Sequence, residues 1–269
     1  MLHVSPPSVS RMLRHSEMLA GMSFFSRTSS GFVPTPEVVA LMEDLEEIHD
    51  GILRINRRLD AALNPTEGRL TIGVSPGLGV SLVPQALAAM RRERPDVNIA
   101  FDVLHRDEIA TKLILQQVDL AMAIFDVEDP RIESQQLAEG RLVCLVPEGH
   151  RLAGRTSIGL SELADETFVG FNASQFQQVM IDDLLTRSGV TLRPKLRVRL
   201  TVSAYFMVQN GLGIALLDSF TVASAKSHGV CVVPLKEILP FQLRLFFNRE
   251  APLSQIAMSF LSHVTGGLK

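Results

Sequence analysis

The sequence contains no tryptophan, one tyrosine and only two cysteines in 269 residues. Cys144 and Cys231 belong to no CxxC pair, which argues against a disulfide scaffold or a structural zinc site and fits a reducing cytosol. Long hydrophobic runs are missing as well: no stretch approaches the roughly 20 apolar residues of a membrane span. The opening MLHVSPPSVSRMLRH lacks the apolar core of an export signal. Nor is there an excess of positive charge. With 26 basic and 29 acidic residues the formal net charge is −3, so any contact with nucleic acid must come from a local basic patch. The composition itself, 46% hydrophobic and 20% charged, is globular and excludes wholesale disorder or a fibre. The length suits one large or two modest domains with a small appendage.

Three zones follow along the chain. In residues 1–35, Val9, Met12 and Leu13 share a helical stripe beside Arg11 and Arg14, with Ser5 placed to cap and Pro6 to open the helix. Ser29, Ser30 and Gly31 then separate Phe24-Phe25 from Phe32-Val33, which predicts a short hairpin or wing. In residues 36–65, Thr35 and Pro36 are the start signals of a long helix. Val38, Leu41, Leu45, Ile48, Ile52, Ile55, Leu59 and Ala62 fall at alternating spacings of three and four, with charges opposite. That heptad seam needs a partner helix, the plainer alternative being an amphipathic helix docked on the body. Asn64, Pro65 and Gly68 end it and make a hinge.

Residues 68–269 alternate strand and helix signals. Strands are expected at 70–74, 97–104, 120–124, 142–146, 196–200, 214–217, 230–234 and 243–247, and helices at 82–92, 109–117, 175–187, 204–209, 220–226 and 253–264. The order gives βαβαβ units, a parallel sheet covered on both faces, and enough chain for two α/β lobes.

The run VSPPSVSRMLRH, then FFSRTSSG, then PTP resembles the recognition helix, wing and linker start of the LysR-type transcriptional regulators, and the resemblance extends over essentially the whole chain. It implies an α/β fold with a two-lobed, periplasmic-binding-protein-like effector domain, preceded by a partial winged helix-turn-helix and a long linker helix. The implied domains are 1–35, a dimerising linker at 36–65, and an effector domain at 68–269 with lobe 1 at about 68–142 and 246–269 and lobe 2 at about 143–245. The implied partners are promoter DNA, a small-molecule effector and further copies in a homodimer or homotetramer, in the cytoplasm and with no membrane. Ser5, Pro6, Ser8, Ser10, Arg11 and Arg14 would lie on the DNA side of the helix, and Arg27 of the wing against the backbone. Pro6 stands where the family usually has a base-reading Gln, and Ser16 where it usually buries Leu. The family also places about 25 residues, forming two helices, ahead of this turn. The chain as it stands is therefore expected to bind DNA weakly and with little specificity, either through a misassigned start or through a shortened reader.

The effector side is signalled by Ser75, Pro76, Gly77 and Leu78, which follow the first body strand and precede a helix capped near Ser81. Ligands of open α/β sheets bind beyond strand carboxyl ends, where such loops meet helix starts. The alternative is a plain glycine turn. His105 and Arg106 end the second strand, and Arg106 could neutralise an anion. Phe171 to Ser174, including Asn172 and Ser174, and Thr201, Val202 and Ser203 occupy strand-to-helix junctions in the second lobe, and by the family pattern face Ser75. Among family members, the wording of the head and first sensor strand is most like those sensing amino-acid-like compounds such as diaminopimelate and opines. Catalysis finds little support. The seven histidines are scattered, no GxSxG elbow occurs, Gly77 to Gly79 lack the Lys-Ser/Thr of a phosphate loop, and Gly211-Leu-Gly213 leads into a strand. No enzyme, metal or cofactor is therefore expected. The rivals are a solute-binding protein, which leaves the first two zones unexplained, and a truncated effector-binding dimer that no longer reads DNA.

Overall fold

The computed structural model describes residues 6–28, 31–42, 44, 45, 48, 51, 52, 55, 68–223 and 229–268. The chain divides into two units, Met1–Leu59 and Asp60–Lys269.

In the first unit, helix α1 spans Pro6–Ala20. It opens on the proline, whose missing N–H costs nothing in a first turn; Ser5 lies outside the described residues. Gly21 takes the left-handed conformation (φ 66°), and Met22 N–H reaches back to the Glu17 carbonyl at 3.3 Å, a glycine-ended stop. The expected hairpin is present as β1 (Phe25–Thr28) antiparallel to β2 (Gly31–Pro34), with Arg27 opposite Phe32; Ser29 and Ser30 lie outside the described residues. The Thr35 carbonyl accepts from Val39 N–H at 3.0 Å as the next helix begins, and its hydroxyl donates to the carbonyls of Ser23 (3.1 Å) and Phe24 (3.4 Å), tying the hairpin's exit to its entrance. Helix α2 is helical over 36–42 and at 44, 45, 48, 51, 52 and 55. Val38 is buried, but Leu41, Leu45, Ile48, Ile52 and Ile55 are each between 45% and 61% exposed. Leu59, Ala62, Asn64 and Pro65 lie outside the described residues.

In the second unit, β3 (Arg69–Val74) lies parallel between β4 (Asn98–Val103) and β5 (Leu120–Ala123). The sheet is not wholly parallel. β11 (Pro240–Asn248) runs antiparallel beside β5, and the first part of β6 (Ile132–Pro147) antiparallel beside β11. The reason is topological: β6 carries the chain out to a second sheet and β11 brings it back, so the two cross in opposite directions. The pattern of β5 decides the layers. Leu120 and Met122 join the core formed with Leu82, Val83 and Met90 of α3 (Leu82–Glu93) and Phe260, Leu261 and Val264 of α7 (Gln255–Gly266). Ala121 and Ala123 face the other way, onto Ile109 and Leu113 of α4 (Arg106–Ile114).

The second sheet forms around the far end of β6. β9 (Ala215–Asp218) and β10 (Val230–Pro234) flank it antiparallel. β7 (Phe168–Phe171) pairs parallel with β8 (Pro194–Val198) and joins β9 through Ile214, whose carbonyl accepts from Val169 N–H at 2.8 Å. Helices α5 (Phe176–Arg187) and α6 (Thr201–Gln209) follow β7 and β8. The chain therefore has two lobes. The outward crossing falls at 141–142, and the return falls at 239–240, not near 245, because β11 already pairs with the first-sheet part of β6 from Pro240. Residues 220–223 form a turn instead of the expected helix start, and 224–226 lie outside the described residues. Cys144, in the middle of β6, is fully buried, and burial pushes its thiol up to about 12, the inert state expected of such a site.

Gly213 joins α6 to the second sheet at φ 143°, and a Cβ there would strike the Thr167 carbonyl oxygen that accepts from Ile214 N–H. Gly189 has φ 66° with open space around its Cβ position. Gly213→Ala should therefore cost about 2–4 kcal/mol and Gly189→Ala about 1 kcal/mol. Urea unfolding of the two variants measures the difference. Equal losses would show that the β7–β9 junction yields freely.

Candidate ligand-binding cleft

The three parallel strands of the first lobe end at one edge. Ser75 N–H donates to the Met122 carbonyl at 2.9 Å, and Leu104 N–H to the Val74 carbonyl at 2.8 Å. The residues just beyond β3, β4 and β5 are thus brought side by side: Ser75 and Pro76, His105 and Arg106, and Phe125. Ser75 is 3% exposed, and among the described residues its hydroxyl has no hydrogen-bond partner. A buried hydroxyl left in that state costs about 1–3 kcal/mol, so the site is short of one polar partner. Gly77 and Leu78 are buried and Pro76 half-buried. They make the turn in which the Ser75 carbonyl accepts from Leu78 N–H (3.0 Å) before α3 begins.

Two sets of contacts join this edge to the second lobe. On the hinge side, Ser81 does not cap α3 with its side chain; its hydroxyl donates to the Phe220 carbonyl across the lobes at 2.6 Å. Thr221 packs on Gly77 so closely that a Cβ there would collide with its Oγ1. Thr221 is itself held by Asp218, whose carboxylate accepts from the Thr221 N–H (2.8 Å) and hydroxyl (2.7 Å). Asp218 is 1% exposed, and burial raises its pKa above the ordinary carboxylate range despite these donors.

On the opposite side the cleft has a mouth of aromatic and cationic groups. His105 caps α4, with its N–H donating to Glu108 Oε2 at 2.7 Å. Arg106 Nε donates to the Asp126 carbonyl (3.0 Å), and its guanidinium stands 6.0 Å from the centre of the Phe176 ring. Phe125 meets the same ring edge to face at 6.0 Å and 68°. Arg199, just past β8, approaches His105 Nε2 to 3.5 Å, and Arg197 donates to the Phe171 carbonyl at 2.8 Å.

The expected first-lobe residues Ser75, Pro76, Gly77, Leu78 and Arg106 are therefore gathered at one edge. In the second lobe Asn172 and Ser174 are exposed on the β7–α5 loop, and Thr201 and Val202 are half-buried at the start of α6. Among the described residues none of these four has a side-chain hydrogen bond to the first lobe; their neighbours Phe176 and Arg199 make the crossing contacts. Phe125, Phe176, Arg199, Asp218 and Thr221 were not legible as cleft residues. The one hint was Arg197-Val198-Arg199, two cations alternating with an apolar residue at a strand end. Among the described residues no cluster of His, Cys, Asp or Glu could hold a metal ion, and no helix is long and apolar enough to cross a membrane.

In the first unit, Ser8 is half-buried, and Ser10, Arg11 and Arg14 lie exposed on α1. Pro6 is the first residue of α1 and Arg27 the third of β1. Val9 and Met12 are 45% and 52% exposed, so one apolar edge of α1 is uncovered in the single chain.

Residues 64–269 match the family model of the LysR substrate binding domain. Over 269 residues the chain is 22% identical to the regulatory protein NocR of Agrobacterium tumefaciens, covering all of this chain and 90% of that one. The fold is also that of full-length CbnR in its complex with target DNA (TM-score 0.76, 19% identity, 100% of this chain and 92% of that one). The regulatory domain of Synechocystis CcmR, in complex with 2-PG, shares it over 74% of this chain and 97% of its own (TM-score 0.62, 20% identity).

The Asp218 carboxyl gives the cleft hinge a pH signature. Because its folded pKa is raised, the folded chain holds that proton more tightly than the unfolded one. Its contribution to stability is complete below the ordinary aspartate pKa and is lost as pH rises through the raised value. Asp218→Asn does not titrate. As pH rises from about 4, the ordinary aspartate value, the wild type should therefore lose stability relative to Asp218→Asn, as read from urea midpoints at successive pH values. A difference that is flat with pH, or that moves in favour of the wild type, contradicts this.

Proposed function

The chain belongs to the LysR-type transcriptional regulators, and from that premise we propose how its parts divide the work. The cleft between the two lobes of the Asp60–Lys269 unit takes a small effector, α1 and the β1–β2 wing contact DNA, and α2 pairs chains into a homodimer or homotetramer. The observation that carries the effector reading is the buried, unpartnered hydroxyl of Ser75, at the strand edge where the lobes meet. Ser75, Pro76, Gly77, Leu78 and Arg106 form one wall, and Asn172, Ser174, Thr201 and Val202 belong to the other. Amino-acid-like compounds such as diaminopimelate and opines fit a polar first wall with a cationic rim.

The DNA reading rests on α1. Arg11 and Arg14 are exposed, and neither forms an ion pair among the described residues. With the short side chains of Ser8 and Ser10 ahead of them, the helix can approach phosphates and base edges. Ser5, Pro6 and Arg27 complete the proposed face. Reading DNA places the protein in the cytoplasm, and no catalytic step is part of this function. The relatives are regulators, and no catalytic constellation was found in the sequence.

A crossed experiment separates the two activities. Gel shifts on the DNA upstream of the gene and thermal melts are run with diaminopimelate and with octopine. Arg11→Ala combined with Arg14→Ala should abolish the shift and keep the effector's stabilisation, which follows from linkage. Ser75→Ala should keep the shift and weaken the stabilisation. Loss of both activities in either variant, or of neither, overturns the division. Pairing is tested separately. Ile48→Glu with Ile52→Glu would bury unpaired charges in the seam, so sedimentation should change from dimer or larger to monomer. A wild type that is monomeric at about micromolar concentration, against the nanomolar-to-micromolar range of stable pairing, removes the role given to α2.

A further inference from the structure

We propose that the effector carries an anionic group, of carboxylate or phosphate chemistry, held across the mouth of the cleft by Arg199 of the second lobe and His105 and Arg106 of the first. The proposal rests on the reading of the cleft as the effector site and adds the chemistry that site selects. Arg199 and His105 come within 3.5 Å of each other from opposite lobes. A guanidinium only donates, and at this length its bond to a neutral imidazole nitrogen is weak, so an anion reaching both residues would offer Arg199 the stronger acceptor. Arg106 is held beside them by the Asp126 carbonyl and the Phe176 ring, and Arg197 lies two residues before Arg199, within β8.

Nearby carboxylates do not answer these guanidinium groups. Glu108 accepts from the His105 backbone, Asp126 pairs with Arg244 at 3.1 Å, Asp183 pairs with Arg187, and Asp182 accepts from the Gln178 amide at 2.7 Å. Asp107 makes no ion pair, and neither do Arg106, Arg197 or Arg199, among the described residues. Charge-assisted hydrogen bonds to an anion are about twice as strong as neutral ones, and an anion spanning the lobes bonds to both at once. The unpartnered Ser75 hydroxyl, next along the same strand edge, is the independent sign of a missing polar ligand. The effector's anion would thus close the mouth while Ser75 takes its other end.

Three five-carbon probes differing in charge test this on the whole chain by thermal melts: glutarate, its neutral diamide glutaramide, and the diamine cadaverine. Glutarate should stabilise the wild type saturably, and the other two should not. Arg199→Gln should raise the glutarate midpoint about ten-fold or more, since it loses a charge-assisted bond, while Arg199→Lys recovers part of that loss. Arg187→Gln, an exposed control on α5, should behave as wild type. Circular dichroism of the free variants shows that they are folded. If glutaramide or cadaverine stabilises as well as glutarate and Ser75→Ala weakens the effect, the cleft reading stands and the anion proposal falls. If glutarate stabilises wild type, Arg199→Gln and Ser75→Ala equally, it binds elsewhere and both fall. If no probe stabilises, the anion proposal is overturned.

Discussion

The double crossing of β6 and β11 is the constraint on which the cleft depends. β6 runs through both sheets without a break from Ile132 to Pro147, and Leu142 N–H holds the Leu239 carbonyl at 2.9 Å where the two crossings meet. Two lobes joined by a pair of hydrogen-bonded strands can tilt about that line, but they cannot slide along it. The packing around the crossing is tight. A Cβ at Gly140 would come within 2.6 Å of both the Phe220 ring and the Ser219 hydroxyl, so no larger residue fits there without moving the 218–221 turn. That turn is the piece of the second lobe that touches Gly77 and Ser81, and so the crossing sets the height at which the two walls face each other.

From this line outward the cleft has unequal sides. The hinge side is closed by short, buried polar contacts, Ser81 to Phe220 and Asp218 to Thr221. Such networks, once satisfied, rigidify their surroundings. The mouth side is closed by long side chains on exposed ground, Arg106 on Phe176 and Arg199 near His105, each of modest strength when solvated. A ligand that replaces the weak set with its own bonds can change the tilt of the lobes, whereas the hinge set stays in place. Under the proposed division of work, in which α2 pairs chains and α1 contacts DNA, a change of tilt is the form in which occupancy of the cleft would reach the DNA.

Much of this was readable from residue patterns because the patterns were local. The Pro6 start of α1, the β1–β2 hairpin and the β3–α3–β4–α4–β5 run each carry their own period or breaker. Two strands were harder. The first ten residues of β6 have almost no apolar signature, since IESQQLAEGR is a largely solvated strand held by β11 from far along the sequence. FVGF in β7 is short, and a glycine interrupts it. The cleft split in the same way. Ser75 to Leu78 announce themselves by following a strand and preceding a helix, but Phe176, Arg199 and Thr221 reach the site only through pairing between strands distant in sequence. Ser81 looks like a helix cap, yet it spends its hydroxyl on a tertiary contact, because a carbonyl from elsewhere in the fold lies within reach.

The most direct test of this arrangement is the distance between the lobes in the unliganded chain. Spin labels at Arg92 on α3 and Arg187 on α5, both exposed, would be read by double electron–electron resonance. The chain would carry Cys231→Ser and be diluted with unlabelled copies, so that each distance lies within one molecule. Hinge-side pinning predicts a narrow distribution that broadens when Ser81→Ala removes the bond to the Phe220 carbonyl. A distribution already broad in the parent chain and unchanged by Ser81→Ala would contradict it, and with it the claim that this fold presents a preformed cleft.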